Sequence, residues 1–262
     1  MPDGADAVRL SFDGPIAIIS YDRPDKHNAA NDAMDQRLFA ILAELHTKPG
    51  LRAVIWRGEG TSFSSGRDTS QLGVRTEDIS DFAFIERGHK GTQSFFTLPV
   101  PSIAALKGWV IGGSFERALL CDIRIAGESA RMRLPEIAHG VVPDSGGTAR
   151  LFQMAGHGLA ADLALTGRIM DAQEALRHGV VSRVVPDAEL DAAALEMARA
   201  IAKAPEFTVA MFLRTLRRIA NPLARETMQE ESVAQTLVFG SQDYAEFKAA
   251  RAEKREPKYR GR

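Results

Sequence analysis

Short β-branched segments alternate with helical segments over the first 185 residues, and this order constrains the fold more than any other feature of the sequence. Residues 16–20 and 53–56 are apolar runs bounded by Gly, Pro or charged residues, which predicts buried strands. A helix is predicted between them, because five apolar residues recur there at helical spacing: Met34, Leu38, Ile41, Leu42 and Leu45. Alternation of this kind favours the α/β fold class.

The same alternation continues along the chain. It predicts strands over 102–106, 123–126 and 180–185, and helices over 113–120, 148–154 and 172–178. After Pro186 the sequence is rich in Ala and lacks a strand candidate, with helices predicted over 187–204, 207–219 and 223–239. We therefore predict a core over residues 1–200 and a helical region over 201–262, which suits oligomerisation, a lid or packing onto the core.

Charge and cysteine content exclude several classes of protein. The chain carries 33 Lys and Arg against 34 Asp and Glu, a net charge of -1, so no overall field favours binding to nucleic acid or to an anionic membrane. Its single cysteine, Cys121, excludes an internal disulfide and a multi-thiolate metal site within one chain. With no apolar run long enough to span a membrane, we expect a protein of the reducing cytoplasm.

Two glycine-bearing turns, at 63–68 and 108–116, are the first candidates for a functional site. Gly112 and Gly113 let the backbone approach a ligand closely, and they open a predicted helix whose first amides point outward. Such a turn can stabilise an anion, although ordinary helix-entry glycines explain it equally well. Neither turn fits a phosphate-binding loop, and Ser114 is not a nucleophile elbow because a glutamate occupies the final position of that motif.

Carboxylates near these turns suggest acid–base chemistry. Glu116 lies one turn into the predicted helix on an otherwise apolar stretch, and Glu136 follows Pro135 after a short strand candidate. A glutamate is usually a surface charge or an ion-pair partner, but two of them beside an oxyanion hole form a general acid–base site. Asp144 is either a helix cap or a site residue, and His139 is close enough in sequence to tune Glu136. The six histidines show no metal-ligand spacing, so no metal site is expected.

Taken together, these segments resemble the crotonase superfamily, which is also called the enoyl-CoA hydratase/isomerase family. The resemblance covers nearly the whole chain and rests on motifs in the family's order, at residues 23–29, 63–68, 105–122, 134–147, 165–179 and 253–255. It implies a spiral of ββα units followed by a C-terminal helical trimerisation region, and a homotrimer or a hexamer built as a dimer of trimers.

The resemblance also implies a role for each candidate residue. It places the oxyanion-hole amides on Arg67 and Gly113, the water-activating base on Glu116 and the proton donor on Glu136. Contacts to the CoA part of the substrate fall on Lys26, Ser65, Asp68 and Gly112. No metal or redox cofactor is implied, because coenzyme A enters as part of the acyl-CoA thioester substrate.

The implied activity is that of a hydratase-type lyase, which adds water to a 2-enoyl-CoA or catalyses the reverse dehydration. Residues 140–147 also resemble carnitinyl-CoA dehydratases, which implies a branched or polar acyl group. The alternatives are an enoyl-CoA isomerase or acyl-CoA hydrolase that uses Asp144 or Glu136 alone, and a CoA-binding homologue without catalytic activity.

Four residues depart from the family pattern: Arg67, Ser114, Arg117 and Arg251. We expect the Arg67 side chain to extend toward the acyl group or CoA. Arg117 is expected to pair with Glu116 and to lower its pKa. The acyl pocket is expected to be lined by Gln71, Leu72, Trp109, Phe115 and the segment 81–96.

Overall fold

The computed structural model describes residues 4–71 and 78–261. Within these residues the strands are β1 (Val8–Asp13), β2 (Ile16–Tyr21), β3 (Ala53–Gly58), β4 (Ser102–Leu106), β5 (Trp109–Ile111), β6 (Ile123–Gly127), β7 (Arg131–Arg133), β8 (Met170–Asp171) and β9 (Arg183–Val185). The helices are α1 (Asp32–His46), α2 (Asp81–Thr97), α3 (Gly112–Leu119), α4 (Gly147–Thr166), α5 (Ala172–Arg177), α6 (Leu190–Lys203), α7 (Glu206–Phe239) and α8 (Gln242–Ala252). The predicted α/β class is confirmed.

The central sheet follows from buried, β-branched strands joined by helical crossovers. In the described residues its strand order is β1-β2-β3-β4-β6-β9, with β1 antiparallel to β2 and the remaining neighbours parallel. Parallel neighbours need long connections, and α1 supplies the one from β2 to β3. The predictions missed β1, which extends the sheet beyond β2.

Side chains on the two faces of this sheet form two apolar clusters. Trp56 on β3 points into the main cluster, while its neighbour Ile55 points into a smaller cluster under α6 that includes Ala194 and Ala198. Alternate residues of a strand face opposite sides, so a sheet covered on both faces needs apolar residues at both positions. This explains why the sequences of these strands are continuous apolar runs.

A small second sheet brings together two segments that are distant in sequence. Its order is β5-β7-β8 in the described residues, and β5 pairs in parallel with β7 so that Ile111 lies opposite Arg133. The carboxyl ends of the two strands are therefore side by side. Directly after them come Gly112, which starts α3, and the short 3₁₀ helix Glu136–His139.

Several predicted elements differ in extent from the structure; the helix predicted over 148–154, for example, extends over Gly147–Thr166. The strand predicted over 180–185 begins only at Arg183, because Val180 and Val181 lie in a buried turn and bond through their amides to the Ala175 carbonyl. The helices predicted over 207–219 and 223–239 are one helix, α7, which contains Pro222. Next to that proline, the Asn221 side chain donates to the Phe96 carbonyl (3.0 Å) and accepts from Arg150, which fastens α7 to the core.

The C-terminal helices pack closely on the preceding elements. Ala224 and Met228 of α7 belong to the main apolar cluster, and α7 lies against α2 and α4. The division near residue 200 into a core and an oligomerisation region stays a prediction. Among the residues that the structure describes, no helix is both long enough and apolar enough to cross a membrane.

Candidate active site

A cavity of about 290 Å³ lies where the two glycine turns meet the end of the small sheet. Its walls come from α1, α2, the start of α3, the segments around 65–71 and 135–145, and α7. Five predicted site residues line it: Ser65, Arg67, Gly112, Gly113 and Glu136. The structure thus brings together residues that are far apart in the chain, from Ser65 to Glu136.

The glycine turn at the start of α3 permits a very close approach of the backbone to Glu136. Gly112 has a φ of +59°, and a Cβ atom on it would lie 2.9 Å from Glu136 Oε1. A Cβ atom on Gly66, in the other turn, would lie 2.8 Å from the Ile111 carbonyl oxygen. Both contacts are too short for a side chain, so glycine is required where the two turns and Glu136 meet.

Two backbone amides at this junction suit a negatively charged oxygen. The Gly113 amide belongs to the first turn of α3, where N–H groups have no intrahelical acceptor. Arg67 forms a parallel bridge with Ala30, in which Ala30 donates to the Gly66 carbonyl (2.8 Å) and accepts from the Asp68 amide (2.7 Å). Because amides alternate in direction along an extended segment, the Arg67 N–H points away from Ala30.

Glu116 is fully buried, and its carboxylate is held by a single turn of backbone. It accepts hydrogen bonds from the amides of Asp144 (3.2 Å), Ser145 (3.1 Å) and Gly147 (3.1 Å). Burial, and then the charge of Asp144, raise the pKa of Glu116 to about 7, although these three hydrogen bonds act in the opposite direction. A carboxyl group with this pKa exchanges protons near neutral pH.

Glu136 is a second carboxylate, and it lies in the cavity wall. Its Oε2 atom is buried and has no hydrogen-bond partner in the described residues. Burial, and then the charge of Glu116, raise its pKa well above the ordinary value, and the nearby Arg133 opposes this only in part. The two glutamates therefore interact electrostatically, although Glu136 lines the cavity and Glu116 is buried behind its wall.

The expected pairing of Arg117 with Glu116 is wrong. The Arg117 guanidinium bonds instead to Asp35 (2.6 and 3.3 Å) and to the Thr92 hydroxyl (3.3 Å), and it lies over the Phe39 ring. Adjacent residues on a helix point in different directions, so Arg117 and Glu116 leave α3 on different sides. Glu116 consequently keeps a raised pKa.

Arg67 continues this ionic cluster along the cavity wall. Its guanidinium contacts Asp32 (2.5 Å) and Asp35 (3.7 Å). We call Asp32, Asp35, Arg67 and Arg117 the arginine–aspartate network; all four residues line the cavity. The network presents a polar surface in which positive and negative charges are balanced.

The predicted CoA-contact residues are in different environments. Ser65 and Gly112 line the cavity, whereas Lys26 is exposed on the 3₁₀ helix Pro24–Lys26. The Asp68 carboxylate does not line the cavity. It accepts from Arg23 (2.7 Å) and from the Ser70 hydroxyl (2.7 Å). Burial opposes ionisation of Asp68, but these hydrogen bonds outweigh it and lower the pKa to about 2. The contacts of all four residues with CoA stay predictions.

The expected acyl-pocket residues are only partly found in the cavity wall. Gln71 lines it, as do Phe84, Ile85 and His89 of α2. The prediction is wrong for Phe115, which is fully buried in the main apolar cluster, and for Trp109, which is partly exposed away from the cavity. Leu72 lies outside the described residues.

Asp144, which the sequence left ambiguous, lies in the cavity wall between the two glutamates. Its amide donates to Glu116, and its carbonyl accepts a hydrogen bond from His89 Nε2. Its charge raises the pKa of both Glu116 and Glu136. His139 also lines the cavity, and burial together with Arg251 and Arg133 lowers its pKa.

Sequence reasoning missed His89 and Glu231, which are both buried. The sequence feature that could have identified them is their spacing from buried residues on a helix. His89 lies four positions after Ile85 on the buried face of α2, and Glu231 lies three positions after Met228 on the buried face of α7. A titratable residue on such a face needs a specific partner.

No group of three or more His, Cys, Asp or Glu side chains is arranged to hold a metal ion among residues 4–71 and 78–261. The expectation that the reaction uses no metal or redox cofactor stays a prediction. The lone Cys121 is buried, and burial raises its pKa to about 12, so it is not a reactive thiolate.

Comparison with known proteins gives consistent results. The sequence pattern of the family described as "Enoyl-CoA hydratase/isomerase" matches residues 11–262. A carnitinyl-CoA dehydratase of Salmonella arizonae is 35% identical, covering 98% of this chain and 99% of that protein. A protein of Mycobacterium bovis named "Probable enoyl-CoA hydratase" is 32% identical, covering 97% and 98% of the two chains.

A solved structure of an enoyl-CoA hydratase/isomerase from Pseudoalteromonas atlantica superposes with a TM-score of 0.87. It is 28% identical and covers 97% of this chain and 100% of that chain. The predicted crotonase-like fold is thereby confirmed.

Proposed function

This chain belongs to the enoyl-CoA hydratase/isomerase family, and from that premise we propose that it is a hydratase-type lyase. Its reaction is the addition of water to a 2-enoyl-CoA thioester, or the reverse dehydration. The observation that carries the proposal is the position of Glu136 in the cavity wall beside the amides of Arg67 and Gly113. Glu116 is buried directly behind Asp144 and Ser145 of the same wall, and both glutamates have raised pKa values. Two carboxyl groups with different proton affinities are what an acid–base addition requires.

The amides of Arg67 and Gly113 would bind the thioester oxygen. As water adds to the β-carbon, the electron pair of the double bond moves toward this oxygen and an enolate forms. Donors that already point at the developing charge stabilise it without reorganisation, and removal of one such donor typically costs about 10²–10³ in kcat. The first turn of α3 adds the positive end of its helix dipole.

Glu116 would act as the base and Glu136 as the acid. The Glu116 carboxylate takes a proton from water while the water oxygen bonds to the β-carbon, and the Glu136 carboxyl then delivers its proton to the α-carbon. With its pKa near 7, Glu116 is substantially ionised at neutral pH, and burial raises the pKa of Glu136 well above its ordinary value, which favours its protonated form. Proton transfer from the Glu116 carboxyl to Glu136, directly or through water, restores both groups after turnover.

The arginine–aspartate network favours an acyl group with a polar or branched substituent. Its four charged side chains line the cavity, and a long aliphatic chain against them would strip water from charged groups without replacing its hydrogen bonds. The similarity to a carnitinyl-CoA dehydratase supports the same substrate class.

A double-bond isomerase or an acyl-CoA hydrolase is the second candidate, and Asp144 is the observation in its favour. This third carboxylate lies in the cavity wall beside the two glutamates, where it can move a proton between two carbon atoms or activate water. Incubation with a 3-enoyl-CoA distinguishes the two: an isomerase gives the 2-enoyl product without incorporation of oxygen from labelled water.

We also propose that the chain assembles as a homotrimer or as a dimer of trimers. The helix α7 exposes a series of large apolar side chains: Phe207, Phe212, Ile219 and Leu237. Exposed apolar residues along one helix mark an interaction surface. Light scattering coupled to gel filtration measures the assembly, and a monomer at micromolar concentration would contradict it.

The decisive experiment follows the absorbance of the enoyl-thioester band with crotonyl-CoA and with branched and polar 2-enoyl-CoAs. We expect the wild-type protein to hydrate at least one of them, and Glu116→Gln and Glu136→Gln each to lower kcat by about 10³-fold. Glu128→Gln is the matched control, because Glu128 is exposed after β6 and outside the cavity wall. Unchanged rates in both glutamine variants would refute the assignment.

A further inference from the structure

Four consecutive amides, those of Asp144, Ser145, Gly146 and Gly147, donate to two buried glutamates. Three of the four bond to Glu116 on α3, as described above. The fourth, from Gly146, bonds to Glu231 Oε2 on α7 at 2.9 Å. The turn 144–147 is therefore held between a carboxyl group of the core and a carboxyl group of the C-terminal helices.

Neighbouring residues of α7 hold the same stretch of backbone. Gln235 Oε1 accepts from the Val142 amide at 2.9 Å. The Ser232 hydroxyl bonds to His89 Nδ1 at 2.9 Å, and His89 Nε2 bonds to the Asp144 carbonyl. One turn of α7 thus contacts residues 142–146 directly or through a single side chain.

Burying the Glu231 carboxyl group only to fill space would be energetically unfavourable. Its exposure is 7%, and its Oε1 atom has no hydrogen-bond partner in the described part of the chain. Burial and the charge of Glu116 raise its pKa to about 9, so it is mostly protonated at neutral pH. An apolar side chain would fill this position without the cost of burying a carboxyl group. What Glu231 adds is an acceptor for Gly146.

We propose that Glu231 is a positioning residue of the active site, which holds the Gly146 amide so that the amides on either side of it reach Glu116. This inference rests on the proposed function, because it takes Glu116 to be the base. Glu231 does not line the cavity, so it acts through the turn 144–147 and not on the substrate.

Loss of the Gly146 contact has a specific consequence for the reaction. When the turn shifts, Glu116 loses hydrogen bonds that favour its ionised form, and its pKa rises further. Less of the base is then ionised at neutral pH, so kcat falls and the acidic limb of the pH profile moves to higher pH. The KM for the enoyl-CoA stays nearly unchanged, because Asp144 and Ser145 are the only residues of this turn in the cavity wall.

The test compares three variants of the full chain. Glu231→Ala removes the acceptor, Glu231→Gln keeps an amide oxygen in its place, and Asn221→Ala removes another buried polar contact of α7 that does not touch the turn. We expect Glu231→Ala to raise the acidic limb of the pH profile by about one pH unit, which lowers kcat at pH 6 about tenfold, with KM changed less than about twofold. Glu231→Gln should restore kcat to within about threefold of the wild type.

The same variants give a readout that does not depend on turnover. Amide hydrogen exchange, followed by mass spectrometry on a peptide spanning 142–150, should be about tenfold faster in Glu231→Ala than in the wild type, Glu231→Gln or Asn221→Ala. This measurement separates the proposed function from the proposed role of Glu231. If the protein hydrates no enoyl-CoA but shows this exchange pattern, the hydratase function is refuted, while the conclusion that Glu231 holds the turn 144–147 stands.

Either of two results overturns the proposal. One is wild-type exchange and wild-type kcat in Glu231→Ala. The other is an Asn221→Ala variant that reproduces both changes, since this would show a general effect of loosening α7. If Glu231→Ala does not fold, Glu231→Leu takes its place, because leucine fills a similar volume without providing an acceptor.

Discussion

The two sides of the cavity contain buried charge in opposite arrangements. In the arginine–aspartate network, Arg117 keeps its charge: burial opposes ionisation, but the carboxylate of Asp35 outweighs it and raises the Arg117 pKa. Around the turn 144–147, Glu116 and Glu231 accept from backbone amides, and the charge of Glu116 acts on both Glu136 and Glu231. The pKa values of all three glutamates rise.

The difference shows that the partner, and not burial alone, decides what a buried charge does. A carboxylate paired with a guanidinium stays ionised and fixes the positions of the residues around it. Carboxylates that are grouped together without such a partner have raised pKa values and can exchange protons near neutral pH. The first side of the cavity is suited to fixing geometry and the second to acid–base chemistry.

The largest effect, on the free energy of unfolding, is expected when the charge balance of the arginine–aspartate network is broken. Asp35→Asn leaves the Arg117 guanidinium buried without its counter-charge, and we expect the free energy of unfolding to fall by roughly 3–5 kcal/mol. Urea denaturation measures this change. Asp191→Asn is the control, because Asp191 pairs with Arg57 at a more exposed site, where loss of an ion pair costs at most about 1 kcal/mol. Equal losses in the two variants would contradict the distinction between the two sides.

The next effect concerns pH on the carboxylate side. Glu116 must be ionised to accept a proton from water, and its pKa is about 7, so kcat/KM for a 2-enoyl-CoA should fall about 50-fold between pH 7 and pH 5. The groups that face Glu116 there are Asp144, Glu136 and Glu231, and their coupled titration sets the shape of the limb. A flat profile over this range would show that Glu116 is not the base.

A smaller effect is expected on stability at alkaline pH. A carboxyl group with a raised pKa binds its proton more tightly in the folded state than in the unfolded state, where the value is about 4.3. Its contribution is complete below that value and is lost as pH rises through the folded pKa, which is about 9 for Glu231.

The melting temperature should therefore decline between pH 5 and pH 9, and less so in Glu231→Gln. We expect the variant to gain on the order of 2–4 °C over the wild type at pH 9 compared with pH 5. Scanning calorimetry across this pH range measures the difference. Parallel curves for the two proteins would show that Glu231 is ionised in the folded state throughout.

The smallest effect is expected from Arg67→Met. The variant keeps the backbone amide but removes the guanidinium from the polar wall, so hydration of crotonyl-CoA should be nearly unchanged. For a substrate with a polar acyl group, kcat/KM should fall up to about fivefold, which corresponds to the loss of a partly exposed polar contact. Equal losses with both substrates would show that the side chain acts on the thioester and not on the acyl group.

Local sequence patterns were sufficient for most elements and for several site residues. The apolar spacing in α1, the β-branched runs of β2 to β4 and the glycines before α3 each reflect constraints that act within a few residues. The sequence did not predict that α7 continues through Pro222, because a proline normally ends a helix. Here the contacts of Asn221 and Ala224 with the core hold the helix together through Pro222.

The sequence by itself determined which positions bear carboxyl groups, which turns allow close backbone approach and which helix faces are buried. Only the tertiary structure decided which of these groups meet. The pairing of β5 with β7 brings Glu136 to Gly112, the direction of Arg117 on α3 takes its guanidinium to Asp35 and not to Glu116, and α7 brings Glu231 to Gly146. A pKa depends on the distances to all surrounding charges, and those distances exist only once the strands have paired and the helices have packed.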